Sequence, residues 1–115
     1  MKPDEFAREW IEAWNAHDLE RILSHYSREV VFTSPVAAQI VPESRGVIVG
    51  IDALRSYWAT GLERIPDLHF DLVDVLHTVD GITILYRNQR DLLVAETVFF
   101  DADGLVARSF AAYEE

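Results

Sequence analysis

The chain has 115 residues, no cysteine and a formal net charge of −10. This length fits a single domain, residues 1–115, with room for one hydrophobic core, and the lack of cysteine excludes disulfides and thiolate chemistry. Because 10 basic residues are spread without a cluster among 20 acidic ones, the composition argues against nucleic acid and an anionic membrane as partners.

Two further features concern membranes and export. No apolar run approaches the roughly 18 residues of a membrane span. The first residues, Met1 to Glu5, lack the apolar segment of a signal peptide. We therefore expect a cytoplasmic protein.

Two helices are predicted in the first part of the chain. The first, from Pro3 to about Ala16, begins with a proline and two acidic residues, which suit a helix N-terminus. Its apolar residues recur at the spacing of one helical face. Asp18 is predicted to cap a short second helix. The buried side of that helix is expected to consist of Leu19, Ile22, Leu23 and Tyr26.

A short strand and a long connection follow. Val30 to Ser34 is rich in β-branched and aromatic residues, as strands are, and Pro35 is expected to end it. The stretch from Pro35 to Gly50 is predicted to be a loop of the kind that forms lids or rims of functional sites. Ile51 to Ile65 has one apolar face and predicts a third helix, which Pro66 stops.

The rest of the chain predicts four strands joined as a meander. The first two are Leu68–Val79 and Ile82–Gln89, separated by an Asp-Gly hairpin signal. The last two lie between Leu92 and Tyr113 and are joined by a turn that ends at Gly104, which can supply a positive φ. Helices segregated from an antiparallel sheet indicate an α+β fold.

One carboxylate interrupts an apolar strand near the C-terminus. With the two-residue period of a strand, Glu96 shares a face with Val94, Val98 and Phe100. Such an acid is either solvated outside, paired with an arginine for structural reasons, or the polar centre of a pocket. If it lies inside, burial raises its pKa and makes it usable as a general acid or base, so Glu96 is the candidate catalytic residue.

The polar residues Tyr86, Arg87 and Asn88 stand in the strand before it. A two-residue turn between the strands puts Arg87 on the face of Glu96, whereas a longer turn puts Tyr86 and Asn88 there, because a one-residue slip exchanges the faces. At least one of the three is expected to line a pocket, since such pockets use a few polar groups. The structural alternative is an outer face at a dimer contact.

Aromatic side chains recur on the inner faces of the first and third helices. At helical spacing such residues usually form core, but buried indole N–H and phenol groups still need partners, which a pocket supplies. The candidate binding residues are Trp10, Trp14, Tyr57 and Trp58, with Tyr113 closing the cavity from the last strand. The four histidines lack the spacing of a metal site, so no metal is expected.

Two segments, taken with the order of elements, resemble a known family. They are Trp14-Asn15-Ala16-His17-Asp18-Leu19 and Phe32-Thr33-Ser34-Pro35. The chain resembles, along nearly its whole length, the SnoaL-like and ketosteroid isomerase-like branch of the nuclear transport factor 2-like superfamily. The resemblance implies a cystatin-like cone, in which a strongly bent antiparallel sheet wraps three N-terminal helices and leaves a pocket open at one end. It also implies a homodimer through the outer sheet face.

The isomerase branch of that family offers a comparison of functional positions. Where it has an aspartate base, a first-helix tyrosine and a protonated acid on a late strand, this sequence has Ser34, Trp10 and Glu96. A serine hydroxyl is too weak a base to abstract a proton beside a carbonyl unaided, which argues against steroid isomerase activity. Ser34 remains a candidate binding residue.

The resemblance implies a small-molecule pocket protein for an apolar, ring-shaped ligand. If it is an enzyme, Glu96 transfers protons in an isomerisation, cyclisation or dehydration without a cofactor, and Tyr86, Arg87 or Asn88 orients the substrate. The alternative is a non-catalytic module in which the same cone serves ligand binding or dimerisation. A cavity holding an acid of raised pKa would favour the first function, and a cavity filled by tryptophans the second.

Overall fold

The computed structural model describes residues 1–114, and its helices and strands alternate in the first half of the chain before four strands complete it. The helices are α1 (Pro3–Asn15), α2 (Leu19–Leu23), α3 (Pro35–Ile40) and α4 (Ile51–Arg64), with a 3-10 turn at Pro42–Ser44. The strands are β1 (Tyr26–Thr33), β2 (Val47–Val49), β3 (Asp71–His77), β4 (Gly81–Arg87), β5 (Leu93–Phe100) and β6 (Val106–Tyr113). None of the helices in the described part is long and apolar enough to cross a membrane.

The six strands form one curved sheet in the order β2-β1-β6-β5-β4-β3. Strands β3 to β6 pair as the predicted antiparallel meander, and Gly104, with φ of 79°, stands in the turn between the last two. The α+β class is therefore confirmed. One pairing differs from a purely antiparallel sheet, because β1 runs parallel to β6.

The prediction of a loop from Pro35 to Gly50 is wrong. Ser34 caps a helix there, since its Oγ accepts a hydrogen bond of 3.1 Å from the Val36 amide, and Pro35 occupies the first helical turn. A proline suits that position because its missing N–H would have no partner there. The segment therefore builds α3, which packs against α4 and β6, and the edge strand β2, which extends the sheet beside β1.

The second helix is shorter than its apolar pattern predicts, and Tyr26 belongs to β1 instead. The helix ends at Leu23, and Ser24, its C-terminal cap residue, donates its hydroxyl proton to the carbonyl of Arg21 over 2.7 Å. As the first residue of β1, Tyr26 is buried and accepts a 2.9 Å hydrogen bond from the indole of Trp10. Tyr26, which was expected in a helix, is thus a buried residue of the sheet.

Two polar side chains fix the segment between α4 and β3 against the helices. Asn15 accepts a hydrogen bond of 2.7 Å from the Phe70 amide and donates one of 2.9 Å to its carbonyl. His17 lies 2.9 Å from the carbonyl of Leu68. These contacts hold Phe70 against the tryptophans of α1, and both Phe70 and Leu68 are buried. The segment closes one side of an internal cavity.

Candidate functional site

A cavity of about 80 Å³ lies between the concave face of the sheet and helices α1, α3 and α4. Its wall is mainly aromatic and contains one carboxylate. The lining residues are Trp10, Trp14, Phe32, Val36, Ile40, Tyr57, Trp58, Gly61, Ile65, Leu68, Phe70, Tyr86, Glu96 and Tyr113. An apolar cavity with a few polar groups is typical of sites for small organic molecules.

A second, wider cleft of about 380 Å³ adjoins the inner cavity. Seven residues border both spaces, so the cleft is the approach to the cavity: Val36, Ile40, Ile65, Leu68, Phe70, Tyr86 and Tyr113. The β4–β5 turn, with Asn88, Gln89 and Arg90, forms its outer edge together with Gln39 of α3. A ligand larger than the inner cavity can therefore extend toward solvent.

Glu96 points to the inside of the sheet and is 3 % exposed. Its Oε2 accepts a hydrogen bond of 2.6 Å from Ser109 Oγ, and no cation pairs with it among residues 1–114. Burial raises the pKa of Glu96 to about 7, although the hydrogen bond from Ser109 acts in the opposite direction. The carboxyl group is therefore present in both protonation states near neutral pH.

All four tyrosines of the chain surround this carboxyl group. Burial raises the pKa of each hydroxyl, and the Glu96 charge adds to the shift because it opposes a second negative charge nearby. For Tyr57 the pKa rises to about 12, with the Ser34 hydroxyl opposing the shift. Tyr26, Tyr86 and Tyr113 also stay protonated at neutral pH. Of the four, Tyr57, Tyr86 and Tyr113 line the cavity and present phenol groups that can donate to a ligand oxygen.

The sheet register decides which polar residues of β4 face the cavity. Tyr86 pairs with Val94 and faces inward, because the connection between the strands is longer than two residues. Of the two predicted arrangements, the one with Arg87 on the inner face is wrong, and Arg87 does not line the cavity. Its side chain is 45 % exposed and donates to the carbonyl of Asp91. Asn88 lies at the outer cleft, where its Oδ1 accepts two backbone hydrogen bonds that shape the turn.

The three tryptophans meet in the cavity wall, in different hydrogen-bonding states. The indole of Trp10 donates to Tyr26, whereas the indole nitrogen of Trp14 is buried without a hydrogen-bond partner in the protein. Trp58 packs edge to face with Trp14 at 5.0 Å and with Tyr26 at 5.1 Å. Ser34 is 2 % exposed and combines its helix-capping role with proximity to the hydroxyls of Tyr57 and Tyr113.

The structure brings together Glu96 and six of the predicted binding residues as cavity wall: Trp10, Trp14, Tyr57, Trp58, Tyr86 and Tyr113. Sequence reasoning missed Tyr26 and Ser109. For Ser109 a signal existed, because it lies four residues before Tyr113 in the same strand and therefore on the same face. For Tyr26 none did, since its spacing also fits the helix before it.

No group of three His, Asp or Glu side chains within residues 1–114 is arranged to hold a metal ion. The cavity wall offers one carboxyl group near its pKa, three neutral phenols and a buried indole N–H. Such a set can exchange a proton with a bound molecule and donate hydrogen bonds to its oxygen atoms.

The fold and the cavity define an α+β protein in which, among residues 1–114, one buried acid lies beside an internal cavity. The model of the SnoaL-like domain matches residues 7–111, and the chain belongs to this family. No curated protein matches the chain significantly.

Solved structures agree with this assignment. A SnoaL-like protein of unknown function from Burkholderia thailandensis is 41 % identical with a TM-score of 0.94, covering 98 % of this chain and 94 % of its own. A SnoaL-like family protein from Agrobacterium tumefaciens, provisionally assigned as an isomerase, is 12 % identical with a TM-score of 0.77, covering 98 % and 97 %. A provisionally named SnoaL-like polyketide cyclase from Shewanella denitrificans is 14 % identical with a TM-score of 0.76, covering 97 % and 90 %. At these low identities, the last two show the fold alone.

Proposed function

We propose that the protein binds a small, apolar, ring-shaped molecule in the inner cavity and transfers a proton on it through Glu96. The observation that carries the proposal is the position of this carboxyl group, which borders the cavity, is 3 % exposed and has a pKa raised by burial to about 7. A structural ion pair would instead bring a cation to the carboxylate and lower its pKa.

The reaction class that fits this site is a cofactor-independent isomerisation, cyclisation or dehydration. A general acid or base works best when its pKa lies near the working pH, which holds for Glu96. The hydroxyls of Tyr57, Tyr86 and Tyr113 can donate hydrogen bonds to a substrate oxygen on which negative charge develops during the reaction. The provisional isomerase and cyclase names of two structural relatives agree with this class. With serine at position 34, we do not extend the proposal to steroid isomerisation.

The size of the inner cavity favours a second candidate, a module that binds a ligand without changing it. Trp10, Trp14 and Trp58 occupy much of the space under the sheet and leave about 80 Å³. In such a module the buried acid would only select ligands. The two candidates differ in whether a bound molecule exchanges its protons.

We also propose that two copies associate through the outer face of the sheet. Val47 and Phe110 flank Thr33 in one row across β2, β1 and β6, and the two apolar side chains are 43 % and 41 % exposed. Val49, at the same edge, is 64 % exposed. Exposed apolar side chains grouped on one face in this way are characteristic of an interaction surface.

The test begins with thermal shifts of the wild type and Glu96→Gln in the presence of ring compounds. A ligand at 100 times its dissociation constant stabilises the native state by about 2.7 kcal/mol, which raises the melting temperature by several degrees. The conservative variant Glu12→Gln, on the exposed side of α1, is the control. A screen in which no ring compound stabilises the wild type would overturn the binding proposal.

Proton transfer is tested on the ligands that bind. In D₂O, the wild type should accelerate exchange of acidic C–H protons of a bound ring ketone, as followed by NMR, and Glu96→Gln should lose this acceleration by about a hundredfold or more. Equal binding with no acceleration by the wild type would favour the non-catalytic module.

A further inference from the structure

Trp14 in the cavity wall has a buried indole N–H that the proposed proton transfer does not use. Its side chain is 6 % exposed, and its indole nitrogen has no hydrogen-bond partner in the protein. An indole N–H can only donate a hydrogen bond, so it needs an acceptor as its partner. Two neighbouring donors of the cavity wall differ from it, since Trp10 donates to Tyr26 and the Tyr57 hydroxyl lies beside Ser34. A buried donor without a partner lowers the stability of the folded protein, so its presence here requires an explanation.

We infer that the Trp14 indole N–H is a ligand-binding group, and that the ligand carries a hydrogen-bond acceptor, such as a ring carbonyl, where the cavity borders Trp14. The inference rests on the proposed function, since it assumes that the cavity takes a small molecule. It adds a residue that selects the ligand on chemical grounds: a hydrocarbon of the same shape leaves the indole N–H unpaired, whereas a ring ketone does not.

The distribution of unpaired polar atoms supports this inference. Within residues 1–114, two buried side-chain atoms lack a hydrogen-bond partner: Trp14 Nε1 and Gln89 Oε1. Trp14 borders the inner cavity and Gln89 the outer cleft, which share seven wall residues. Both of these buried atoms therefore belong to residues that border the path of the proposed ligand.

Local packing offers one competing explanation. Trp14 and Trp58 lie edge to face, with ring centroids 5.0 Å apart and an interplanar angle of 80°. An indole N–H directed at an aromatic face makes a weak contact of its own, and it would then have no need of a ligand. The two explanations differ in whether a carbonyl group on the ligand raises its affinity through Trp14. A matched pair of ligands, with and without the carbonyl, can therefore separate them.

The experiment compares 1-tetralone with tetralin, which share a two-ring skeleton and differ in one carbonyl group. Dissociation constants are measured by calorimetry for the wild type, Trp14→Phe and Trp58→Phe. The ratio of the tetralin to the tetralone constant should fall by about five- to tenfold in Trp14→Phe, the range expected for one lost hydrogen bond. Trp58→Phe is the matched control, because it removes another indole of the cavity; it should weaken both ligands alike and change the ratio by less than about twofold.

A second measurement needs no variant to fold well. The protein has three tryptophans, so its ¹H–¹⁵N spectrum contains three indole signals. The Trp14 signal should move downfield when the wild type binds 1-tetralone and stay in place when it binds tetralin. Binding of both ligands with a stationary Trp14 signal and an unchanged ratio in Trp14→Phe would overturn the inference and leave the pocket proposal standing. Binding of neither ligand, with no ring compound found in the thermal screen, would overturn both.

Discussion

Ser109 donates its hydroxyl proton to Oε2 of Glu96 over 2.6 Å, and both side chains are almost completely buried. The two residues stand on neighbouring strands, where Ser109 pairs with Val98 and lies diagonally across from the acid. The hydrogen bond favours the charged carboxylate, while burial favours the neutral acid, and burial is the larger effect. This balance sets the pKa on which the proposed chemistry depends.

Replacing Ser109 with alanine should raise the pKa of Glu96 further. The variant loses the only side-chain hydrogen bond that the described residues give this carboxylate, whereas its burial is unchanged. The shift can be measured by ¹³C NMR titration of the Glu96 carboxyl carbon. Ser56→Ala, on the exposed side of α4, is the matched control. A pKa equal to or below that of the wild type would contradict this account.

Stability should depend on pH through Glu96. Its folded-state pKa of about 7 lies above the ordinary value of 4.5, so the native state retains a proton that the unfolded chain releases. The penalty for burying the charge is therefore absent below pH 4.5 and complete above pH 7, where it amounts to about 3 kcal/mol.

Urea unfolding of the wild type and Glu96→Gln at pH 4.5 and pH 8 tests this dependence. The stability of the variant relative to the wild type should rise by up to about 3 kcal/mol from the lower to the higher pH, because glutamine has no charge to bury. Taking the difference between the two proteins cancels the titration of all other groups. A difference that does not change with pH would show that the carboxylate is well solvated.

The contribution of Glu9 to the stability of the protein should depend on pH in the opposite direction. It accepts a hydrogen bond of 2.8 Å from Arg21 and lies 3.2 Å from His25, and mainly the Arg21 contact lowers its pKa to about 2. The stabilisation is present above pH 4.5 and is lost as the pH falls toward 2. Because the side chain is 23 % exposed, we expect Glu9→Gln to cost about 1 kcal/mol at pH 7. Glu12→Gln, at a 70 % exposed side chain, should cost less than about 0.5 kcal/mol.

Two glycines should respond to alanine in opposite directions. At Gly61, within α4, an added Cβ meets no atom within 4 Å, so Gly61→Ala should stabilise the protein by about 0.5–1 kcal/mol. At Gly81 the added Cβ would lie 1.9 Å from the carbonyl oxygen of Val98, and the variant should lose several kcal/mol. Urea denaturation measures both. Destabilisation by Gly61→Ala would mean that an atom lies closer than 4 Å to the added Cβ.

Gly61 also offers a way to block the cavity without changing Glu96. It belongs to the cavity wall, and leucine is well tolerated within helices. Gly61→Leu should therefore remain folded, as judged by circular dichroism, and weaken ring-compound binding by tenfold or more. Unchanged affinity would indicate that the ligand binds elsewhere, for example in the outer cleft alone.

Phe110→Lys should separate the proposed dimer. The side chain is 41 % exposed on the outer face, next to Thr33 and opposite Thr97, and a charge there would oppose burial against a second copy. Sedimentation at tens of micromolar should give a dimer for the wild type and a monomer for the variant. Val79→Lys, at a fully exposed turn residue, should remain dimeric. A monomeric wild type would rule out the dimer.

Local sequence patterns are sufficient to predict the two long helices and the meander of strands. The pattern predicts helices at Pro3–Ala16 and Ile51–Ile65, and the structure has α1 at Pro3–Asn15 and α4 at Ile51–Arg64. Periodicity and helix-stopping residues act over a few neighbours, so they can be recognised without coordinates. The same reasoning fails from Pro35 to Gly50, because a proline after a capping serine can start a helix as well as end a strand.

The inner face of β5 also follows from its alternating pattern, which singles out Glu96 as the acid among apolar neighbours. Which residues meet that acid does not follow from the chain. Tyr86 rather than Arg87 faces it because the length of the β4–β5 connection fixes the register, and one residue more or less would exchange the faces. Ser109 and Tyr26 reach it only through the pairing of β5 with β6 and of β6 with β1, contacts between segments far apart in sequence that local propensity does not encode.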